Sequence, residues 1–582
     1  MSACSARVKT CQTCATAKIR CLRSPDSTFC DRCLRLNKPC YFRPARIRQA
    51  LSRKETRLEL LERRVDQLLG QSSQGHSPPE VKAGDVIDRG LLSLDEAAAL
   101  LASFLQSMMP DFPFVVLPPT TSADQLRESA PFLFLAILSV SVTDDRTLKR
   151  VLDEEVRAAL AERTVLVHHP PSLETLQGLL IVLAWSQHQV RQRSAPRHFS
   201  TYLHLAIGLV VDRRLDQPIE TRRRQTRRMN ISEEGIKECP LQILRAEQRA
   251  AIGCSFLSSC SAIITQETCT FPWAPELEAF AVGLAESPEY DSDQTIIHLV
   301  RLQHVLEEID RVSRGPDPFE ASRSSRAFHH TFRTFKARIQ DYSNLLPPEL
   351  ASNFTLSTQL HTINLYLCQV SLFDHKATTQ LPVDVRAETL SHGLAAAKSF
   401  STSLTSIGPG AERRFSYSQW LQTGFNLIVS CKLALMAVSD EALRDSFPQV
   451  QALCDELNVP EVLRICVLHQ DQHSSYSGTT SPATGFDYKG WLQWIEEWFL
   501  RQYNGYIARR EAAERVVTAA SAHAPASSVP VVSQEYFGVG EPNTGQLYLP
   551  ASGDSMLWNT FPDLVLADNP LLGWMDSGLL PI

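Results

Sequence analysis

The chain has 582 residues, 43% of them apolar and 21% charged, and a formal net charge of −6. That length exceeds one ordinary domain and supplies enough apolar residues for a large core. No uninterrupted apolar run reaches the ~18 residues a membrane span needs, and the opening MSACSARVKTCQTC lacks a secretory apolar stretch, so neither a membrane nor a secreted protein is expected.

The charge is uneven along the chain. Residues 1–48 hold eleven Lys/Arg against Asp26 and Asp31, a balance of +9. From residue 516 onward there is no Lys or Arg, while Glu535, Glu541, Asp554, Asp563, Asp568 and Asp576 contribute −6. A basic head points to a polyanion partner, and an acidic tail to a different one.

Six of the fifteen cysteines fall between Cys11 and Cys40, as Cys11-x2-Cys14-x6-Cys21-x8-Cys30-x2-Cys33-x6-Cys40. The second trio repeats the first with every cysteine displaced by 19 positions, which suggests two similar halves around one shared object. In a reducing compartment, clustered thiols point to metal rather than disulfides. Zinc takes four ligands in a tetrahedron, so six thiolates close two ions only if two sulfurs bridge both. The expected cofactor is two Zn²⁺ per chain, in a closed structural site with no open position for catalysis. The remaining cysteines, Cys4, Cys239, Cys254, Cys260, Cys269, Cys368, Cys431, Cys454 and Cys466, lack paired spacing and read as small buried apolar residues.

This pattern resembles the fungal zinc binuclear cluster DNA-binding domain, the six-cysteine module of a fungal transcription factor family. The spacing match is complete across Cys11–Cys40. By position, the resemblance implies that Cys11 and Cys30 bridge the metals and that Pro25 lies in the loop between halves. It also implies that a helix starting at Cys14 enters the major groove of double-stranded DNA, where Lys18 reads a CGG triplet. A lysine ammonium suits the adjacent N7 and O6 acceptors of guanine. Arg20, Arg23, Lys9 and Arg7 are expected on phosphate, where they add affinity without sequence reading. Ala15 and Ala17 stand where many relatives are basic, which puts the phosphate grip or half-site preference in question. The alternative for the same cysteines is a zinc-stabilised knuckle that binds protein, as in a corepressor or scaffold. Ferredoxin spacings are absent.

Residues 41–48 form a basic linker, and 49–70 a candidate dimerisation coil. With Leu51 at position a, Leu51, Leu58 and Val65 occupy a, and Lys54, Leu61 and Leu68 occupy d. Arg57 at g would face Glu62 at e of a parallel partner, so a homodimer is expected. A lone amphipathic helix is the competing account. Residues 71–84, Gly-, Ser- and Pro-bearing, read as a flexible tether.

From 85 to 515 helical periodicity dominates, and an all-α domain is expected. Ser93-Leu94-Asp95-Glu96 has the form of a capping box, followed by Ala97, Leu101, Phe104, Leu105 and Met108 on one face. Trp491, Trp494, Ile495, Trp498 and Phe499 repeat that spacing near the other end. Two stretches, residues 91–119 followed by 131–140, and Glu247 to Ile263, are similar to the regulatory middle region of the same family. That likeness implies a domain that tunes activity, in some relatives in response to a small molecule, but no residue identifies an effector. No H-E-x-x-H, G-x-S-x-G or G-x4-G-K-[ST] motif occurs, so no enzyme is expected. His469 and His473 stand at helical spacing, but Ser474, Ser475 and Gly478 read as a loop. Arg222 to Arg228 read as a solvated loop, with nuclear import or a second phosphate patch as rival uses.

Residues 516–582 read as a disordered acidic tail. Its end interleaves Trp558, Phe561, Leu564 and Trp574 with Asp554, Asp563, Asp568 and Asp576. Acidic residues keep large apolar groups solvated until a groove accepts them, the composition of an activation segment that recruits coactivators. A terminal helix docked on the middle domain is the alternative. The sequence thus divides into a basic arm (1–10), a zinc cluster (11–40), a linker (41–48), a coil (49–70), a tether (71–84), an all-α regulatory domain (85–515) and a tail (516–582). The expected function is a nuclear, sequence-specific transcription factor, an activator of RNA polymerase II genes, with a repressor on the same DNA domain as runner-up.

Overall fold

The computed structural model describes residues 10–22, 28–41, 84–143, 145–166, 172–186, 198–228, 240–314, 325–372, 381–408, 410–477 and 488–522. The chain divides into two compact units, residues 1–85 and 86–582. Among the described residues all regular structure is helical. The expected coil at 49–70, with Leu51, Leu58, Leu61, Val65 and Leu68, lies outside them. So does the tail end with Trp558, Phe561, Leu564 and Trp574.

The first unit holds two short helices, α1 (Gln12–Thr16) and α2 (Asp31–Arg35). Its buried side chains are Cys11, Cys14, Cys30 and Cys33, with Cys21 and Cys40 partly buried against them. Among its described residues no aliphatic side chain is buried. Its sulfurs occupy the place of an aliphatic core.

The second unit begins with α3 (Leu94–Ser103). The capping box forms as expected, with Ser93 Oγ accepting from the Glu96 amide and the Glu96 carboxylate accepting from the Ser93 amide. The chain continues through a π turn at Phe104–Met108 into α4 (Ala123–Ser129), α5 (Pro131–Ser141), α6 (Arg146–Ala161), α7 (Leu173–Ala184) and α8 (His198–Asp212). Then come α9 (Ile219–Arg228), α10 (Leu241–Ile264), α11 (Pro275–Glu286), α12 (Asp293–Arg314), α13 (Ser325–Leu345) and α14 (Pro348–Ala351). The last are α15 (Phe354–Leu372), α16 (Val383–Ser406), α17 (Tyr417–Ser439), α18 (Glu441–Ser446), α19 (Pro448–Leu457), α20 (Val459–Ser477) and α21 (Tyr488–Ala522).

Helix α17 is the axis of this unit and packs on α7, α10, α15, α16 and α21. By length and composition it is apolar enough to cross a membrane, yet that whole stretch is buried inside the fold. The expectation that no uninterrupted apolar run reaches that length stands, because Gln419, Gln422 and Asn426 interrupt the run while the helix continues. Those three side chains explain the packing. Gln419 donates to Thr355 at 3.0 Å, Gln422 to Gln359, and Asn426 to Thr362 at 3.1 Å. The ladder continues from Gln359 to Gln303 at 2.8 Å and from Gln303 to Ser259 at 2.7 Å. Buried amides must find partners, so this ladder fixes the register of α12, α15 and α17.

Two buried ion pairs stand out, the first joining α10 to α12 and the second lying along α6. Arg249 on α10 forks onto Asp293 at 2.7 and 2.8 Å and reaches Glu289 at 2.9 Å. Lys149 on α6 donates to Asp153 at 2.7 Å and to the Ser139 carbonyl at 2.8 Å. Each buried cation has its charge and hydrogen bonds met locally.

Two expectations need correction. Residues 222–228 are helical within α9, not a loop. Residues 469–477, including Ser474 and Ser475, lie on helix α20, where Val462, Leu463 and Cys466 bury one face. Cys254, Cys260, Cys368, Cys431, Cys454 and Cys466 are buried free thiols, as their scattered spacing implies, and Cys269 is half-buried.

Candidate metal centre and nucleic-acid interface

Each half of the first unit is built by the same local rules. Cys11 caps α1 with extended backbone, and its Sγ accepts from the Cys14 amide at 3.4 Å. Cys30 caps α2 the same way, accepting from the Cys33 amide at 3.4 Å. The helix therefore starts at Gln12, not at Cys14. The C-x2-C spacing itself carried the signal, since an N-cap side chain reaches the amide three residues on.

Both helices end alike. Lys18 and Asn37, 19 positions apart, adopt left-handed φ of 50° and 47°. Lys18 N–H bonds the Ala15 carbonyl and Ile19 N–H that of Cys14; Asn37 and Lys38 do the same to Leu34 and Cys33. These are paired Schellman caps. The halves then interlock, because Gln12 N–H donates to the Tyr41 carbonyl at 2.9 Å and Asp31 N–H to the Leu22 carbonyl at 3.1 Å. Residues 22 and 41 are again 19 apart. The sequence repeat is a structural repeat with exchanged backbone bonds.

The six sulfurs converge. Cys11, Cys14, Cys21 and Cys30 form one group with all ligand atoms within 4.8 Å, and Cys11, Cys30, Cys33 and Cys40 form a second. Cys11 and Cys30 belong to both. Their Sγ atoms are 3.7 Å apart, Cys14 to Cys30 is 3.7 Å, and Cys11 to Cys33 is 3.8 Å. A tetrahedron with Zn–S of ~2.3 Å has an edge of about 3.8 Å. The donor set thus fits two tetrahedral thiophilic cations sharing two sulfurs.

The shared thiols also differ chemically. The Cys33 amide draws Cys30 down to about 6, although burial opposes it. At Cys11 burial pushes up, but the Cys14 amide and neighbouring thiols bring it below the ordinary thiol value. Burial pushes Cys14, Cys33 and Cys40 up. The amides of Cys14 and Cys33 thus draw down the two thiols common to both groups. Zinc, when bound, supplies the cross-link and keeps all six sulfurs ionised.

Lys18 and Arg20 are exposed beyond the end of α1. Gln12, Thr13, Thr16, Ala17 and Tyr41 line a shallow groove beside that helix. Among these, Thr13 is pinned by its hydroxyl to the Pro39 carbonyl at 2.5 Å. The sequence reading did not single out Tyr41, whose carbonyl closes the two halves. Arg7, Lys9 and Arg23 lie outside the described residues.

Comparison with known proteins relates the chain to fungal transcription factors. The family model described as the WAR1 C-terminal domain matches residues 47–392, more than half of the chain. The chain is 34% identical to the transcription factor himD of Aspergillus japonicus, over 98% of this chain and 97% of that protein. It is 26% identical to the transcription factor opdL of Penicillium oxalicum, over 62% of this chain and 67% of the relative. Identity to the transcription factor pbcR of Emericella nidulans is 23%, over 58% and 52%. No solved structure matches. With a clustered six-cysteine head and full-length likeness to regulators of this kind, the chain belongs to the fungal transcription factors that carry the WAR1 C-terminal domain, a non-enzymatic family.

Proposed function

We propose that this transcription factor binds CGG-type triplets in double-stranded DNA through residues 11–40, with two Zn²⁺ per chain held by Cys11, Cys14, Cys21, Cys30, Cys33 and Cys40. The observation that carries the reading is the pair of four-sulfur groups sharing Cys11 and Cys30, with Lys18 exposed at the left-handed end of α1. Lys18 donates to guanine N7 and O6, while Arg20, Arg23, Lys9 and Arg7 hold phosphates. The protein acts in the nucleus as a homodimer paired through Leu51, Leu58, Leu61, Val65 and Leu68. It activates RNA polymerase II genes by offering Trp558, Phe561, Leu564 and Trp574 to coactivators.

The test is a mobility shift of the zinc-loaded full chain on a duplex carrying CGG triplets. The wild type should retain the duplex and lose it when the triplets are scrambled. Lys18→Ala should weaken binding by ~1–3 kcal/mol with its zinc content unchanged. Equal affinity for scrambled DNA would sink the sequence-specific reading, and fewer than two zinc per chain would sink the cluster.

A further inference from the structure

Residues 212–228 hold seven arginines against three carboxylates and no lysine, and five of the arginines lie on helix α9. The helix divides them by register. Arg222 turns inward and donates to Glu247 at 2.8 Å, and Arg213 donates to the same carboxylate at 2.8 Å. Glu247 is buried, so this pairing anchors α9 against α10. At about 100° per residue, positions 223, 224, 227 and 228 fall on an arc centred roughly 170° from Arg222. Arg224 is exposed, with no hydrogen bond or ion pair among the described residues. Arg223 is half-buried and meets Glu220 at 3.6 Å. The helix therefore uses one arginine as an anchor and turns the positions of four others away from it.

Charge density decides which anion suits that face. Four arginines within six helical positions cover about 9 Å at ~1.5 Å per residue. Duplex DNA presents a negative charge about every 1.7 Å along its axis. The acidic tail is far sparser: Asp554, Asp563, Asp568 and Asp576 are spread so that an extended chain offers one carboxylate per ~25 Å. A guanidinium fork also matches phosphate geometry in a way a lysine does not.

We propose that the outward face of α9 is a second DNA-backbone contact, independent of sequence, engaged after residues 11–40 have found their site. This rests on the DNA-binding reading above. With 49–70 paired as a helical coil of about 33 Å and the other twenty residues of 42–83 extended, this stretch reaches up to ~100 Å, enough to span from the site to flanking duplex. Tethering raises the local concentration of backbone phosphate around α9, so a contact too weak to hold DNA alone becomes effective.

The test measures binding of the zinc-loaded full chain against salt, on a site with long flanks and on the same site trimmed of flanks. In the variant R223Q/R224Q/R227Q/R228Q, with Arg222 kept, the long-duplex slope of log affinity against log salt should become shallower by about two to four, at ~0.9 per phosphate lost. The trimmed duplex should show no change, and the fourfold Arg→Lys version should keep most of the slope. If the fourfold Gln variant does not fold, Arg224→Gln alone should cost about one in slope. An unchanged slope in a folded variant overturns the proposal. So does lost nuclear accumulation with an unchanged slope, which would assign α9 to import. Failure of the wild type to bind either duplex would instead overturn the DNA-binding reading itself.

Discussion

Lys18 occupies a backbone position that usually belongs to glycine. A left-handed conformation costs a side-chain-bearing residue about 1–2 kcal/mol, and Asn37 at the matching place is one of the few types that tolerate it readily. A lysine retained there is strained for the cap and suited to something outside it. Lys18→Gly should therefore keep the zinc content and resistance to unfolding of the first unit while DNA affinity falls, as read by metal analysis and mobility shift. Gly253 makes the opposite case. Its φ is ordinary, yet a Cβ there would sit 2.5 Å from the Phe114 Cβ. That atom is fixed by its own backbone and cannot step aside. Gly253→Ala should destabilise the second unit by about 1–3 kcal/mol in a denaturant titration.

Among the elements, α15 and α16 half-bury two histidines, His361 and His392, between them. His361 and His392 are each held down to about 4, from an ordinary 6.5. Burial is the cause at both, and the charge of Lys336 adds to it at His392. Both imidazoles are thus neutral when folded, while the unfolded chain takes up protons below about 6.5. Their contribution to stability is complete above that value and is lost as pH falls from about 6.5 through about 4. The wild-type urea midpoint should drop across this window more steeply than that of H361Q/H392Q. Parallel curves would show that other groups govern the acid response. Helix α17 shows how an element's meaning depends on its neighbours. As a sequence it has membrane-span length, and only the partners of Gln419, Gln422 and Asn426 reveal a core helix keyed by amides.

At the scale of the molecule the two units are stabilised by different means. Among the described residues of the first, buried sulfur stands where a core would be, and zinc bound there would supply folding free energy on the order of 10–16 kcal/mol. The second buries a continuous apolar cluster from Val86 to Phe499. Chelator should abolish DNA binding while leaving nearly all helical circular dichroism in place. A large loss of helicity would mean that the second unit also depends on metal. The family match, over residues 47–392, covers much of the second unit, whereas among the described residues the sulfur cluster lies in the first.

The cysteine spacing made each half of the six-sulfur cluster legible, because the geometry within a half is local, and the family resemblance supplied which two sulfurs both groups share. N-caps reach three residues, left-handed caps close within six, and a displacement of 19 repeated both. The helical class of the second unit and the capping box at Ser93 were legible for the same reason. Contacts between residues far apart in the chain were not. Only the tertiary structure decided that Arg249 meets Asp293, that Gly253 admits Phe114, that the amides of α17 find those of α15, and that Glu247 turns one arginine of α9 inward. Those outcomes depend on which helix faces which, and side-chain periodicity says that a face is buried without saying against what.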